Sequence, residues 1–171
     1  MTLIRGQVNI LVDTGDTSQH AALLEALHQR DLAPELIAFV VNTHGHLDHV
    51  GCNALFPHAT FILDDDIARD GEYHSHSFAD APFLLPADPD ASITVIATPG
   101  HTDHDRSVLV TTPGGVIAIV GDLFECANDD TPDVWSRWSH DAERQRRSRA
   151  MVRGIADHIV PGHGAIFPVR S

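Results

Sequence analysis

The densest group of metal-binding residue types in the chain lies between residues 44 and 49. Three histidines and one aspartate occur there, at His44, His46, Asp48 and His49. Imidazole and carboxylate groups are common protein ligands of Zn²⁺, Fe²⁺ and Mn²⁺. Gly45 separates the first two histidines, and glycine lets a loop fold both rings toward one point. This spacing predicts a transition-metal site.

Three further polar residues occur in Gly-rich segments, each after a β-like apolar run. They are His101 in Pro99-Gly100-His101, Asp122 in Gly121-Asp122 and His163 in Pro161-Gly162-His163. Seven protein ligands are too many for one tetrahedral or five-coordinate ion, but they suit two ions that share a bridging carboxylate. In the simplest partition, His44, His46 and His101 bind one ion, Asp48, His49 and His163 bind the other, and Asp122 lies between them. Each ion keeps a position for water.

The order of these motifs resembles that of the metallo-β-lactamase superfamily: His-x-His-x-Asp-His, then Pro-Gly-His, Gly-Asp and a second Pro-Gly-His. Asp13, in Leu11-Val12-Asp13-Thr14-Gly15, matches the early Asp-Thr-Gly turn of that family. The resemblance implies an α/β fold, a four-layer αββα sandwich of the metallo-β-lactamase type, formed by residues 1–171 as a single domain. It also implies that Asp13 supports the loop of residues 43–49, called the metal loop below, without binding metal itself.

The resemblance further implies a hydrolase with two metal ions, with Zn²⁺ expected and iron or manganese as alternatives. Water that bridges two Lewis-acidic ions loses a proton near neutral pH, and the resulting hydroxide attacks an ester, thioester, lactone or phosphodiester bond. Asp48 is the predicted catalytic side chain, because it is placed to orient this hydroxide or to relay its proton. The fold does not choose among these substrates.

Within the superfamily, several segments resemble the family of metallo-β-lactamase domain-containing protein 1. They are residues 12–16, 43–48, 55–57, 121–125 and 143–149. That family is associated with histone pre-mRNA 3′-end cleavage, so an RNA endonuclease of this type is one alternative. A mononuclear iron oxidoreductase that acts on persulfide is another, although it dispenses with several second-site ligands that are present here. A noncatalytic protein that keeps its metals for stability is the third.

Composition excludes some reaction types and indicates a cellular setting. All 11 basic residues are arginine and the formal net charge is −13. Schiff-base catalysis and a P-loop are excluded because both need lysine, and arginine or metal must bind any anionic substrate. The acidic balance disfavours a nonspecific nucleic-acid binder. We find no apolar run near 18 residues and no signal-peptide stretch, so we expect a cytoplasmic protein with no membrane partner.

Hydrophobic periodicity predicts alternating strands and helices. Strands are predicted at 7–12, 37–42, 60–63 and 92–98, with a hairpin of 107–111 and 116–120 across Pro113-Gly114-Gly115. Helices are predicted at 19–30 with Thr17 or Ser18 as the cap, from Asp48 or His49 to Leu55, and from near Asp141 onward. Each candidate ligand except His49 then lies at or just beyond a strand end, where the sheet fixes the separation of side chains.

Several other polar residues have simple structural interpretations. Ordinary surface or core positions are expected for His20, His28, His58, His140 and His158. Polar loop tips explain Tyr73, His74, His76 and His104, although these loops are also candidates for the pocket border. The two thiols, Cys52 and Cys126, are too few for a disulfide framework and can stay reduced, and a role for either thiol beside the metal loops is left open. The last helix carries Arg144, Arg146, Arg147, Arg149 and Arg153, either as a solvated face with a Glu143–Arg147 pair or as a contact for an anion or RNA.

Twelve residues precede Asp13. Metallo-β-lactamase relatives usually have two or three strands before this turn, so the resemblance implies a first sheet that is shortened at the N-terminus. Three explanations stay open: a shortened version of the fold, an incorrectly assigned start, or a partner that covers the open edge. Because an open row of strand hydrogen-bonding groups invites pairing, we hypothesise a homodimer. Size-exclusion chromatography with light scattering checks this expectation, and a monomer across micromolar concentrations would count against it.

Overall fold

The structure is a computed structural model that describes residues 1–86, 92–129 and 131–169. The chain divides into two compact units, Met1–His76 and Ser77–Ser171. Within the described residues, each unit contains one sheet of six strands. The prediction of a single domain over residues 1–171 stays a prediction. Across the described part of the chain, the helices are too short or too polar to cross a membrane.

The first unit contains a mixed sheet whose strands are arranged in their sequence order. They are β1 (Thr2–Ile4), β2 (Asn9–Val12), β3 (Ile37–Val41), β4 (Thr60–Leu63), β5 (Asp66–Arg69) and β6 (Glu72–Ser75). The central strands β2, β3 and β4 run parallel, while β1, β5 and β6 are antiparallel to their neighbours. Helix α1 (His20–His28) lies between β2 and β3 in the chain, and helix α2 (Leu47–Val50) between β3 and β4. The carboxyl ends of β2 and β3 therefore meet at one edge of the sheet.

Helix α1 packs its apolar face on this sheet. Leu23 and Leu27 are four residues apart on one side of the helix, and both are buried with Leu11 and Val40. A short 3₁₀ turn, Thr17–Gln19, precedes the helix. The prediction that Thr17 or Ser18 caps the helix was wrong. The N-cap residue of α1 is Gln19, which makes no side-chain capping bond. Asp16 caps the preceding 3₁₀ turn, because its carboxylate accepts a hydrogen bond from the Ser18 N–H while the Gln19 side chain accepts one from the Asp16 N–H.

Two parts of the first sheet differ from the sequence prediction. The strand predicted at 7–12 begins at Asn9, and β1 is an additional edge strand. The hairpin of β5 and β6 is also additional, so Tyr73 and His74 lie in a strand and not in a loop. Its turn is Asp70-Gly71, with φ angles of +51° and +83°. Both turn residues need positive φ in a type I′ turn, which matches the twist of the flanking strands.

The second unit contains a sheet of six strands that also neighbour one another in sequence order. They are β7 (Phe83–Leu85), β8 (Ser92–Ala97), β9 (Arg106–Thr112), β10 (Gly115–Ile119), β11 (His158–Val160) and β12 (Phe167–Pro168). The predicted hairpin across residues 113–115 is confirmed, with each strand bound shifted by one residue. Strands β8 and β10 both run antiparallel to β9, and β11 runs parallel to β10. The carboxyl ends of β8, β10 and β11 therefore lie at one edge.

Two helices, α3 (Pro132–Trp135) and α4 (Ala142–Ile155), lie between β10 and β11 in the chain. The predicted start of this helix near Asp141 is confirmed, and Asp141 is its N-cap, because its carboxylate accepts hydrogen bonds from the N–H groups of Glu143 and Arg144, both at 3.0 Å. The backbone N–H of Arg144 is the main reason that the pKa of Asp141 is lowered. Val152 packs α4 against the core of this unit, which includes Leu123, Phe124 and Ile159.

The arginines of α4 do not all share one environment. The predicted Glu143–Arg147 pair is confirmed at 3.5 Å. Arg149 does not belong to a solvated face, because it is 6% exposed. Its guanidinium stacks 3.9 Å from the centre of the Phe124 ring and binds both carboxylate oxygens of Asp129, at 2.6 and 3.0 Å. These long-range partners offset the cost of burying its charge.

Candidate metal centre

The seven predicted ligands divide between the two units. The first unit holds His44, His46, Asp48 and His49, and the second holds His101, Asp122 and His163. Four of them follow a strand end by three or four residues, as expected: His44 after β3, His101 after β8, Asp122 after β10 and His163 after β11. Because these strand ends share an edge within each sheet, the topology gathers the ligands of each unit.

Asp13 organises the metal loop of the first unit. It has a φ of +58° at the end of β2 and is 6% exposed. Its carboxylate accepts hydrogen bonds from the Thr43 N–H at 2.7 Å and from the Thr43 hydroxyl at 2.9 Å. The same carboxylate lies 2.8 Å from Nδ1 of His49. Asp13 therefore holds Thr43 and His49 of this loop in place, and its predicted role in supporting a metal site stays a prediction.

The hydrogen bonds of Asp13 set the tautomers of two histidines. A carboxylate accepts and does not donate, so Nδ1 of His49 carries its proton toward Asp13 and Nε2 is the candidate ligand atom. The Thr43 hydroxyl donates to Asp13 and lies 3.2 Å from Nδ1 of His44. That hydroxyl therefore accepts from Nδ1 of His44, whose Nε2 is likewise the candidate ligand atom. Asp13 thus sets the tautomer of one histidine in the predicted ligand set of each ion.

His46 and Asp48 complete the donors of this loop. Nδ1 of His46 lies 3.0 Å from Nε2 of His44. In α2, an oxygen of Asp48 lies 3.9 Å from Nε2 of His49. The Asp48 side chain is 48% exposed, whereas the ring of His49 is buried. Asp48 is therefore accessible to solvent, whereas the His49 ring is not.

Asp122 is the centre of the ligands in the second unit. One carboxylate oxygen lies 3.5 Å from Nε2 of His101, and the other lies 3.4 Å from Nε2 of His163. Ligand bonds of about 2.0–2.1 Å at the tetrahedral angle place neighbouring ligand atoms roughly 3.3–3.4 Å apart. Each oxygen therefore stands at about the separation from its histidine that two ligands of one ion would have. This donor set fits a carboxylate that bridges two ions.

Glu125 is a candidate ligand that the sequence prediction missed. Ligand atoms of Asp122, Glu125 and His163 all lie within 4.8 Å of one another. The Glu125 N–H donates to Asp129 at 2.7 Å, and the Glu125 carbonyl accepts from the His163 N–H at 3.0 Å. The spacing of three residues after Asp122 was a visible signal, but Glu125 lacks the preceding glycine shared by the other candidates in this unit.

Two glycines permit close packing around these ligands. A Cβ atom on Gly162 would overlap the Asp122 carboxylate, and one on Gly100 would overlap the backbone of Gln145. Gly100 also has a φ of +148°, which favours glycine. The Pro-Gly-His segments therefore have a steric reason for their glycine, in addition to the turn itself.

Asp105 holds the loop that carries His101. Its carboxylate accepts hydrogen bonds from the Gly100 N–H at 3.0 Å, the Thr102 N–H at 2.7 Å and the Thr102 hydroxyl at 2.6 Å. Burial raises the pKa of Asp105 from 3.8 to about 6 and outweighs these bonds, which lower it. Because the folded pKa is raised, protonated Asp105 stabilises the folded state. This contribution is fully present below about pH 3.8 and is lost as pH rises through about 6.

An Asp105→Asn variant should therefore change the pH dependence of stability. The amide cannot ionise, and it can still accept from the two N–H groups and donate to the Thr102 hydroxyl. The unfolding free energy of wild type should fall by ~2.5 kcal/mol more than that of the variant between pH 4 and pH 7, because the folded pKa lies about two units above the unfolded one. Urea unfolding of metal-free protein at both pH values measures this difference. Parallel profiles for the two proteins would refute a raised pKa at Asp105.

The two cysteines and the histidines outside the candidate ligand set occupy ordinary structural positions. Cys52 and Cys126 are free thiols. Cys52 is buried, its thiol donates to the Asp16 carbonyl at 3.2 Å, and burial raises its pKa, so it is a poor nucleophile. His76 follows β6, and its N–H donates to the Asp65 carbonyl at 2.8 Å. Exposed positions are occupied by His20, His28, His58, His104, His140 and His158.

Comparisons with known proteins identify a family and relatives that this sequence resembles. The model of the Metallo-beta-lactamase superfamily matches residues 1–163. The chain is 43% identical over 173 residues to Metallo-beta-lactamase domain-containing protein 1 of Xenopus laevis, covering 99% of this chain and 72% of the relative. It is 41% identical to the Homo sapiens protein of that name, covering 94% of this chain and 59% of the relative. The chain thus spans 59–72% of the length of these relatives.

A solved structure confirms the predicted fold class. An N-acyl homoserine lactone hydrolase, with product at its catalytic metal centre, superposes with a TM-score of 0.68. The match covers 95% of this chain and 79% of that one at 16% sequence identity. At this identity the likeness concerns the fold and not the substrate.

Proposed function

The chain belongs to the metallo-β-lactamase superfamily. We propose that it is a hydrolase that binds two metal ions, with Zn²⁺ as the expected metal. The observation that carries this proposal is the buried carboxylate of Asp122, whose two oxygens each lie beside a different histidine ring. The proposed ligands are the seven predicted residues, in the predicted partition: His44, His46 and His101; Asp48, His49 and His163; and Asp122 as the bridge.

The protein groups have separate tasks in this proposal. When bound, the two ions supply Lewis acidity that activates a water molecule and polarises the scissile bond. Asp13 fixes the His44 and His49 rings so that Nε2 of each is the ligand atom. Asp48 orients the attacking water and accepts its proton, and its exposure lets the proton leave to solvent.

Replacing Asp48 or His163 by alanine should abolish turnover by weakening the second ion. Loss of a positioned proton acceptor alone lowers rates by about 10²–10⁴-fold. Turnover and metal content of both variants should be compared with those of Asp157→Ala, an exposed aspartate whose carboxylate binds the Val116 N–H. Undiminished turnover in both Asp48→Ala and His163→Ala would rule out the two-metal scheme.

The substrate is proposed to be an ester, thioester, lactone or phosphodiester. A panel of these four bond types, with β-lactams and RNA added, should be assayed on protein loaded with two equivalents of Zn²⁺. We expect hydrolysis of at least one bond type, abolished by a chelator and restored by Zn²⁺. Full loading without hydrolysis of any panel member would favour the noncatalytic alternative.

The structure gives an argument against RNA contact by α4. The exposed Arg146 and Arg147 both pair with Glu143, and Arg144 pairs with Asp103 at 2.9 Å. These acidic partners reduce the positive potential that a phosphate backbone would need. Salt-sensitive RNA cleavage that is lost in Arg146→Ala and Arg147→Ala would nevertheless support the endonuclease alternative.

A further inference from the structure

Helix α4 and the segment before it contact both ligand loops of the second unit. The carbonyls of residues 99–101 accept hydrogen bonds from the Ser148 hydroxyl, the Asp141 N–H and the His140 N–H, at 2.8, 2.9 and 3.0 Å. The carbonyl of Leu123 accepts one from the Arg149 guanidinium at 2.8 Å. Helix α4 and residues 140–141 therefore hold the backbone of both loops, the one that carries His101 and the one that carries Asp122.

Gln145, in α4, touches both loops. Its side chain is 0% exposed, and its Nε2 donates to the carbonyls of Asp122 and Leu123, at 3.0 and 3.3 Å. On the other side, Gly100 lies so close to the Gln145 backbone that a Cβ there would overlap it. A shift of Gln145 therefore moves the Asp122 turn relative to the His101 loop.

Burial of the Gln145 side-chain amide also lowers the free energy of unfolding. Among the described residues, its Oε1 is buried and makes no hydrogen bond. An unsatisfied buried acceptor costs about 1–3 kcal/mol, and an apolar side chain of similar length would fill the space without that cost. The two bonds to the Asp122 turn are what glutamine adds over such a side chain.

We propose that Gln145 is a positioning residue that sets the separation of the His101 ring and the Asp122 carboxylate, now 3.5 Å between Nε2 and Oδ2. It does so by fixing the Asp122–Leu123 backbone while its own backbone supports Gly100. This inference rests on the proposed function, since it concerns the ligands of the proposed ions. Partners outside the ligand set of a metal site typically change affinity by about 10–100-fold.

The test compares Gln145→Met with Val152→Ala, a control that opens the buried core of the same helix. Dissociation constants for Zn²⁺ and Co²⁺ are measured by chelator competition, and unfolding of the metal-free proteins is measured separately. Gln145→Met should bind ~10–100-fold more weakly and show an altered Co²⁺ absorption spectrum. Val152→Ala should lose stability when metal-free but keep the wild-type affinity and spectrum.

The outcomes separate this inference from the proposed function. Wild-type protein that binds no metal would overturn both. Metal binding in wild type with unchanged affinity in Gln145→Met, or an equal loss of affinity in Val152→Ala, would overturn the positioning role alone. If Gln145→Met does not fold, Gln145→Ala removes the side-chain donor and leaves a cavity, as Val152→Ala does in the same helix. It should show the same loss of metal affinity as Gln145→Met, and wild-type affinity in that variant would overturn the role.

Discussion

An Asp122→Asn variant is expected to lose most of its bound metal and at least ~10³-fold of its hydrolytic rate. The amide keeps one acceptor oxygen but places an NH₂ group beside either His101 or His163. The side chain then cannot bind a cation together with that histidine. Lewis acidity contributes several kcal/mol to such reactions, and each ~1.4 kcal/mol is a tenfold change in rate. Metal content and turnover of the purified variant measure both effects.

The control for this prediction is Asp157→Asn in the same unit. Asp157 is exposed, and its carboxylate accepts a hydrogen bond from the Val116 N–H at 2.8 Å. It should retain both metals and full turnover. An Asp122→Asn protein that keeps two equivalents of metal and near wild-type turnover would contradict the bridging role.

The second large effect is expected for Asp13→Asn. The amide keeps an oxygen for Thr43, but its NH₂ group faces Nδ1 of His49 and forces that nitrogen to accept. The His49 proton then moves to Nε2, which can no longer bind metal. Because Thr43 links the same carboxylate to His44, binding of both ions should weaken, each by about 10–100-fold.

Asp31→Asn is a matched control for the backbone. Asp31 also has positive φ, at +56°, and is exposed in the same unit. Asparagine tolerates this conformation, so neither substitution should strain the main chain. Chelator competition measures the metal affinities. Equal affinity in Asp13→Asn and Asp31→Asn would mean that Asp13 does not control the histidine tautomers.

The metal loop and its support could be predicted because their signals are local. An apolar strand followed by His44, His46 and His49 has few other interpretations, and the Asp-Thr-Gly resemblance supplied the role of Asp13. Strand ends before His101 and Asp122 were predictable because β8 and β10 are apolar runs bounded by turns. The topology then gathers these residues at one edge of each sheet.

The missed features depend on partners far away in sequence. Arg149 is buried by Phe124, Trp135 and Asp129, and none of these lies at helical spacing from it. Gln145 gains its role from carbonyls more than twenty residues earlier. The β5–β6 hairpin is different, because Asp70-Gly71 is a strong turn signal. Its strands escaped prediction because they are polar and mostly exposed, without apolar alternation.

The most direct test of the account is the metal content of the purified protein, prepared without a tag, chelator or added metal. Plasma mass spectrometry gives the identity and the number of equivalents. We predict about two equivalents of zinc, as seven ligands with a bridging carboxylate require. About one equivalent of iron would contradict the binuclear centre and favour the persulfide oxidoreductase, and no bound metal would contradict the ligand assignment itself.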